Sequence, residues 1–284
     1  RRDEGLRAEV LRGISPAEAK SYEAQVRATG YLGAVVREHH PLEHGFDYYY
    51  GYNRWECPFY NSEHIWENHT FTGKQARYNT ELFAEKSIAF LGKALREQKP
   101  FYLHIAPHAV HGPLQPKAPE RHFAKFPSRA YNLTNFYAHV HAVDELVGQV
   151  RAAMTEAEWN NTLFAFCSDN GAPLGLDTVL PGNGALRGHK GTFYLGGVRV
   201  PLLLHWPQGL GTKAGSVAAM TSNMDILPTA MAAAGLKTPV GVEGRSLLPV
   251  ARGEAKTVHE NLLWAGIHAR AWGFTRETTI GDFN

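Results

Sequence analysis

The chain contains 284 residues, 44% of them hydrophobic, which is enough for one large α/β domain with a sizeable core. Its 29 lysine and arginine residues nearly balance 27 aspartate and glutamate residues, so the charge does not support a nucleic-acid partner or binding at a membrane surface. The two cysteines, Cys57 and Cys167, argue against a disulfide framework, and no apolar run is long enough to span a bilayer.

Helix and strand signals alternate near the beginning of the chain. Ser15 and Pro16 form an N-cap with proline at the first helical position, and they predict a helix over residues 15–28 that ends near Gly30. Residues 31–36 follow as a short predicted strand. A helix, a glycine and then a strand is the order expected of an α/β domain.

Residues 48–72 are rich in aromatic side chains and show no regular period, so they predict a long irregular loop. The sequence leaves two roles for this loop open. Aromatic rings can stack on a sugar, or they can pack a surface loop onto its own domain.

Two helices separated by a strand come next. Apolar residues spaced three or four apart predict helices over residues 80–96 and 131–154. Between them, residues 101–106 predict a strand that leads into a loop containing His108 and His111. A histidine in such a loop could donate a hydrogen bond to an anion or protonate a leaving alcohol.

Residues 163–207 carry the most informative chemical pattern. An apolar strand is predicted over residues 163–167, a glycine-rich loop follows, and a second apolar run covers residues 200–204. Ligands of open α/β sheets bind just beyond the carboxyl ends of the strands. We therefore expect a binding site where the first of these strands ends.

The residues at that point suit a charged substrate. Asp169 and Asn170 offer a carboxylate and an amide oxygen side by side, a pair suited to a hard cation such as Ca²⁺ or Mg²⁺. Lys190, between glycines, suits an anionic oxygen. A cation and a lysine that converge on one anion predict phosphoryl or sulfuryl transfer.

Three linked motifs in this stretch resemble the C-terminal half of the formylglycine-dependent sulfatases, which are enzymes of the arylsulfatase type in the alkaline-phosphatase superfamily. The motifs are Ser168-Asp169-Asn170-Gly171, Leu186-Arg187-Gly188-His189-Lys190-Gly191-Thr192 and Gly196-Gly197-Val198-Arg199-Val200-Pro201. The resemblance implies an α/β fold with a mixed, mostly parallel central sheet and helices on both faces, incomplete at both ends. It assigns residues 1–250 to a partial catalytic domain and residues 251–284 to the start of the connection to a C-terminal subdomain.

The resemblance also implies roles for individual residues. Asp169 and Asn170 match metal ligands, with Ca²⁺ as the expected ion and Mg²⁺ as the alternative. Lys190 and His111 match catalytic residues that also bind the substrate, and His108 is a weaker substrate-binding candidate.

Other family features are missing from this sequence. The GKWHLG motif expected after Val36 is absent, although the PLxHGFD pattern that follows it is present at residues 41–47. Residues 126–129 imitate the end of the nucleophile signature C/S-x-P-S/A-R, but Lys125 stands where the signature requires cysteine or serine. The formylglycine site and two further metal aspartates that the resemblance implies are therefore not expected within this sequence.

The resemblance predicts a sulfuric-ester hydrolase that releases inorganic sulfate from a sulfated carbohydrate or an aryl sulfate. Two alternatives stay open at this point: a non-catalytic sulfatase-like protein that binds sulfated glycans, and a phosphoester or phosphonate hydrolase of the same superfamily. The expected partner is a sulfated small molecule or a sulfated glycan, and not nucleic acid. Sulfatases of this type are commonly exported, so a periplasmic, secreted or lysosomal setting is expected, although the sequence shows no signal peptide.

Overall fold

The computed structural model describes residues 31–33, 35–54, 58–127, 129–173, 182–211, 215–264 and 279–281. The chain divides into two compact units, residues 1–153 and residues 154–284. The predicted helix over residues 15–28 lies outside the described residues, and so does Cys57.

The first unit begins with a short antiparallel hairpin. Strands β1 (Tyr31–Leu32) and β2 (Val35–Val36) pair across a turn that contains Gly33. Gly33 has φ +67, a left-handed conformation that favours glycine. The single strand predicted over residues 31–36 is therefore divided by a turn. Two 3₁₀ helices, Arg37–His39 and Pro41–His44, follow.

The aromatic segment at residues 48–72 contains a sheet, so the prediction of an irregular loop was wrong here. Strands β3 (Tyr50–Tyr52), β4 (Ile65–Glu67) and β5 (Thr70–Phe71) form an antiparallel sheet in that order. Asn68 adopts φ +53 in the turn between β4 and β5. Strands of two or three residues are too short to show a two-residue period in the sequence, which explains the error.

The described part of the first unit contains three α-helices: α1 (Asn79–Arg96), α2 (Glu120–Phe123) and α3 (Tyr131–Ala152). The helices predicted over residues 80–96 and 131–154 are confirmed. Helix α1 packs against α3, and α2 also contacts α3. A buried cluster of Phe59, Tyr78 and Ala142 joins the aromatic segment to α3.

Residues 101–106 were predicted as a strand but form none in the structure. Their burial nevertheless alternates residue by residue between half-buried and exposed, as in an extended chain. A strand requires a hydrogen-bonded neighbour, and this segment has none among the described residues. All strand pairs within the described ranges are antiparallel, so the expected parallel pairing is not among them.

The core of the first unit contains a histidine that stays neutral. His139 on α3 is fully buried, its Nδ1 lies 2.6 Å from the hydroxyl of Tyr78, and its ring stacks on Phe59 at 4.2 Å. Burial lowers the pKa of His139 from 6.5 to about 4. The Tyr78 hydroxyl can donate to an unprotonated Nδ1, which fits the neutral imidazole.

This histidine predicts a loss of stability in acid. The unfolded chain binds a proton at His139 below about pH 6.5 and the folded chain only near pH 4, so folding becomes less favourable as the pH falls between these values. The expected loss is on the order of 3 kcal/mol. Chemical unfolding measured from pH 7 to pH 4 should show a shallower pH dependence for His139→Gln. Identical slopes for wild type and variant would contradict the prediction.

The second unit contains the strand pair at which the functional motifs meet. Strand β6 (Phe164–Cys167) pairs antiparallel with β7 (Leu202–His205), which confirms both predicted strands, the second one shifted by two residues at its start. Helix α4 (Glu156–Asn160) precedes β6 and begins at a capping box between Thr155 and Glu158. Strands β8 (Leu262–Trp264) and β9 (Thr279–Gly281) form a separate antiparallel pair.

The described residues of the second unit also form four short helices. They are α5 (Leu195–Val198), α6 (Pro207–Leu210), α7 (Ile226–Ala233) and α8 (Leu248–Ala251). A 3₁₀ turn, Asn223–Asp225, leads directly into α7 and begins with a Ser222 capping box. The sequence had indicated only a loop where α5 forms.

The buried carboxylate of Asp225 connects three segments of this unit. It accepts hydrogen bonds from the backbone N–H groups of Ser222 and Arg245, each at 2.8 Å, and it lies 2.8 Å from Nε2 of His259. Asp225 is fully buried and His259 nearly so. The carboxylate therefore satisfies donors that would otherwise be buried without a partner.

Replacing Asp225 should destabilise the second unit. Asp225→Ala removes the acceptor of two backbone donors and of His259, and we expect a loss of about 3 kcal/mol in the free energy of unfolding. Asp225→Asn keeps one acceptor oxygen, so its free energy of unfolding should fall less than that of Asp225→Ala. The exposed carboxylate of Glu254 provides the control Glu254→Ala, which should change little. Equal denaturation midpoints for Asp225→Ala and Glu254→Ala would contradict this account.

Candidate functional site

The turn after β6 presents the two predicted metal ligands. Asp169 is exposed and Asn170 is half-buried. The hydroxyl of Ser168 donates to the Asn170 carbonyl at 3.0 Å, and Nδ2 of Asn170 donates to the Gly171 carbonyl at 3.2 Å. Because the amide nitrogen is held by the turn, Oδ1 is the side-chain atom of Asn170 that suits a cation. The Asp169 carboxylate provides the second hard oxygen donor.

Backbone contacts connect the loop that carries Lys190 to this turn. The N–H of Lys190 donates to the carbonyl of Ala172 at 2.9 Å. Asn183 reinforces the contact: its Oδ1 accepts from the Ala172 N–H at 2.7 Å, and its Nδ2 donates to the carbonyls of Ala172 and Gly188 at 3.1 and 3.2 Å. The backbone at Lys190 is thereby fixed against the end of the metal-ligand turn.

Glycines allow the third motif to approach the same turn. The N–H of Gly171 donates to the carbonyl of Gly197 at 3.0 Å. A Cβ atom on Gly171 would overlap the carbonyl of Gly196, and one on Gly196 would overlap the carbonyl of Gly188. Gly188 itself adopts φ +88. The three motifs thus pack backbone to backbone, which a side chain at any of these positions would prevent.

We call this arrangement the glycine-locked cluster, comprising residues 168–172, 183, 187–192 and 196–201. One of its two arginines, Arg187, lies over the ring of Tyr194 at 3.9 Å and donates to the Tyr194 hydroxyl at 2.9 Å. This contact holds the Arg187 guanidinium on its own loop. Lys190 is the cation that the sequence motif assigns to contact with an anionic substrate.

Cys167, immediately before the turn, is not suited to act as a nucleophile. Burial raises the pKa of its thiol, and the nearby carboxylate of Asp169 raises it further. A thiol with a raised pKa is mostly protonated near neutral pH and reacts slowly.

The two predicted histidines lie in the first unit, whereas Asp169, Asn170 and Lys190 lie in the second. Nδ1 of His111 is 2.6 Å from the carbonyl of Gly112, so Nδ1 carries the proton and donates it. A neutral His111 therefore presents an unprotonated Nε2. It must become an imidazolium before that nitrogen can donate to an anion or to a leaving oxygen.

Aromatic packing and a turn fix the position of His108. Its ring contacts Phe59 edge-on at 4.7 Å and lies 5.6 Å from the ring of His111, and its carbonyl accepts from the His111 N–H at 2.8 Å. These contacts orient the loop on which His111 lies. They fit a supporting role for His108 better than a direct catalytic role.

Two asparagines of the site were missed in the sequence. Asn183 fastens the Lys190 loop, and Nδ2 of Asn223 donates to the carbonyl of Ser168 at 3.2 Å. A glycine on each side of Asn183 suggests only a flexible loop, and Asn223 is 55 residues from its partner. No local pattern reveals contacts of this kind.

Comparison with known proteins identifies several that are similar. The family model described as Sulfatase matches residues 16–236. The chain is 31% identical over 233 residues to the uncharacterized sulfatase YdeN of Escherichia coli K12, a match that covers 81% of this chain and 41% of YdeN. It is 27% identical over 304 residues to arylsulfatase G of Mus musculus, covering 88% of this chain and 56% of that protein. The chain thus spans about half the length of these curated relatives.

Solved structures show the same similarity in three dimensions. The crystal structure of Ps i-CgsB superposes with a TM-score of 0.68 at 29% sequence identity, covering 76% of this chain and 52% of Ps i-CgsB. Its complex with k-i-k-neocarrahexaose gives a TM-score of 0.67 at 29% identity, with 75% of this chain and 51% of that chain covered. These similarities confirm the α/β fold class. Among the described residues, no helix has the length and apolarity needed to cross a membrane.

Proposed function

We propose that this chain, which belongs to the sulfatase family, forms part of a sulfuric-ester hydrolase that releases inorganic sulfate. The glycine-locked cluster is the observation that carries the proposal. It holds two hard oxygen donors and a lysine on one fixed backbone. Fixed charges around the reacting group stabilise a sulfuryl-transfer transition state without reorganising during the reaction.

Asp169 and Asn170 are proposed to hold a divalent cation, Ca²⁺ with Mg²⁺ as the alternative. The residues fit such an ion, because the carboxylate and Oδ1 are adjacent oxygen donors at the end of a strand. Ca²⁺ takes roughly six to eight oxygen ligands, so these two residues form part of a larger ligand set. When bound, the ion would neutralise charge on a sulfate oxygen.

Lys190 and His111 are proposed to act on the substrate directly. Lys190 would place its ammonium group against a sulfate oxygen and reduce the negative charge that develops there. His111 would act as an imidazolium, because its Nδ1 already donates to Gly112 and only a protonated Nε2 can serve a leaving oxygen. His108 would support the position of His111 through the turn between them.

The nucleophile of the family is a formylglycine, whose hydrate attacks sulfur. The C/S-x-P-S/A-R signature that generates it does not occur in the 284 residues. The roles proposed for the chain's own residues are therefore binding, orientation and charge neutralisation. Residues that act together with a nucleophile accelerate the reaction little once the nucleophile has been removed.

A sulfated carbohydrate is the substrate class that we favour, with an aryl sulfate as the alternative. The support comes from a similar protein: Ps i-CgsB, at 29% identity, was crystallised with the oligosaccharide k-i-k-neocarrahexaose. An exported setting, periplasmic, secreted or lysosomal, would suit a polysaccharide substrate.

The proposal can be tested by product analysis. The complete polypeptide should release inorganic sulfate from sulfated oligosaccharides, measured by ion chromatography, and should release no phosphate from matched phosphate esters. Release of phosphate in preference to sulfate would favour a phosphoester hydrolase of the same superfamily. Binding of sulfated glycans without any release would instead favour a non-catalytic protein.

A further inference from the structure

A second cluster of potential metal ligands lies in the first unit. His122 on α2 and His141 and Glu145 on α3 place one ligand atom each within 4.8 Å of one another. His141 and Glu145 are four residues apart, so they lie on one face of α3. None of these residues belongs to the motifs that carry the sulfatase resemblance.

The two histidines face each other through the same ring atom. Nδ1 of His122 lies 2.9 Å from Nδ1 of His141, and Nδ1 of His122 lies 3.9 Å from Oε2 of Glu145. Tetrahedral zinc with Zn–N bonds of about 2.0–2.1 Å separates two nitrogen ligands by about 3.3 Å. Opening the pair of histidines by roughly half an ångström would therefore admit an ion.

We propose that His122, His141 and Glu145 form a binding site for a divalent transition-metal ion of the zinc class, which clamps α2 to α3. Two imidazoles and one carboxylate form a ligand set that suits zinc and leaves a fourth position for water. This site would be separate from the oxygen-donor site of the glycine-locked cluster. It does not depend on the proposed sulfatase activity.

The surroundings of His122 support this assignment. Its side chain is 1% exposed, and its Nε2 has no hydrogen-bond partner. When Nδ1 of a histidine binds a metal, Nε2 carries the proton and usually donates it to a carboxylate or carbonyl. The carboxylate of Glu81 is in position for this, with Oε1 3.9 Å from Nε2. A small shift would complete the hydrogen bond.

The local charge also favours a cation. Arg121 is bound to both Glu81 and Glu145, with Nη2 2.8 Å from Oε1 of Glu81. Two carboxylates and one guanidinium leave a net charge of about −1 beside the two histidines, so a dication is attracted to the site. A pocket of about 350 Å³, lined in part by Glu81, Glu85 and Arg121, lies beside the cluster.

Zinc titration of the complete polypeptide tests this proposal. Calcium is first added in excess, so that the proposed oxygen-donor site is occupied. Calorimetry should then show one high-affinity equivalent of Zn²⁺, and Co²⁺ in its place should give the absorption of a tetrahedral site. His141→Gln and Glu145→Gln should each weaken zinc binding by about 100-fold or more.

Two further variants distinguish a specific zinc site from nonspecific zinc binding. Glu81→Gln should weaken zinc binding by roughly 10–100-fold, because it replaces the charged carboxylate acceptor for Nε2 with a neutral amide. Glu85→Gln changes a carboxylate of the same pocket that is not a ligand, and its affinity should equal that of the wild type. Zinc should raise the Tm of the wild type and not that of His141→Gln. No bound zinc in the wild type, or unchanged affinity in His141→Gln, would overturn the proposal.

Discussion

Replacing Lys190 with alanine is expected to reduce kcat/KM for sulfate release by about 10²–10³-fold, the loss typical of removing one preorganised charge from a transition state. The backbone at Lys190 is held by its hydrogen bond to Ala172 and by Asn183, and alanine can keep both contacts. The loss should therefore come from the missing ammonium group, with the fold preserved. Steady-state kinetics and circular dichroism of the complete protein measure the two effects separately.

Two matched variants sharpen this test. Lys256→Ala removes an exposed lysine of the same unit that lies outside the glycine-locked cluster, and it should leave kcat/KM unchanged. Lys190→Arg keeps the charge but replaces a compact ammonium with a wider planar group, so it should recover only part of the activity. Full activity of Lys190→Ala would show that Lys190 has no role in the reaction.

Gly171→Ala is also expected to reduce the activity strongly, but through a change in backbone packing. The added Cβ would overlap the carbonyl oxygen of Gly196, and neither backbone segment can move without separating the motifs. Displacing Asp169 and Asn170 by about 1 Å can cost about 100-fold in rate. The forced repacking should also cost roughly 1–3 kcal/mol of stability. Activity and denaturant midpoints of the variant test both expectations.

The control for this substitution is Gly215→Ala. A Cβ at Gly215 meets nothing within 4 Å, so alanine there should affect neither activity nor stability. If Gly171→Ala behaved in the same way, the close packing of the three motifs would not be needed to hold the ligands in position.

The helices were the part of the fold that the sequence predicted best. Apolar residues in α1 and α3 repeat every three or four positions over 18 and 22 residues, so the period is clear. Strands β3, β4 and β5 contain two or three residues each, and no period can be detected over so short a length. The side chains of Ile65 and Trp66 on β4 are buried, which local sequence does not reveal.

The candidate site was predictable in its residue types but not in its construction. Asp169, Asn170 and Lys190 could be identified because they follow a strand or stand between glycines. That the glycines bring three separate motifs into backbone contact became clear only from the structure. Asn183 was also missed, since its role depends on contacts 5 and 11 residues away along the chain. The His122 cluster was missed because α2 and α3 meet only in the folded chain.

The most direct test of the proposed function is the calcium dependence of sulfate release by the complete protein. Wild-type activity should be lost after chelation and restored by Ca²⁺, because Asp169 and Asn170 would hold the ion against the substrate. Asp169→Asn should lower the affinity for calcium and should not be restored at the concentration that restores the wild type. Sulfate release that is unaffected by chelation and by Asp169→Asn would contradict the account.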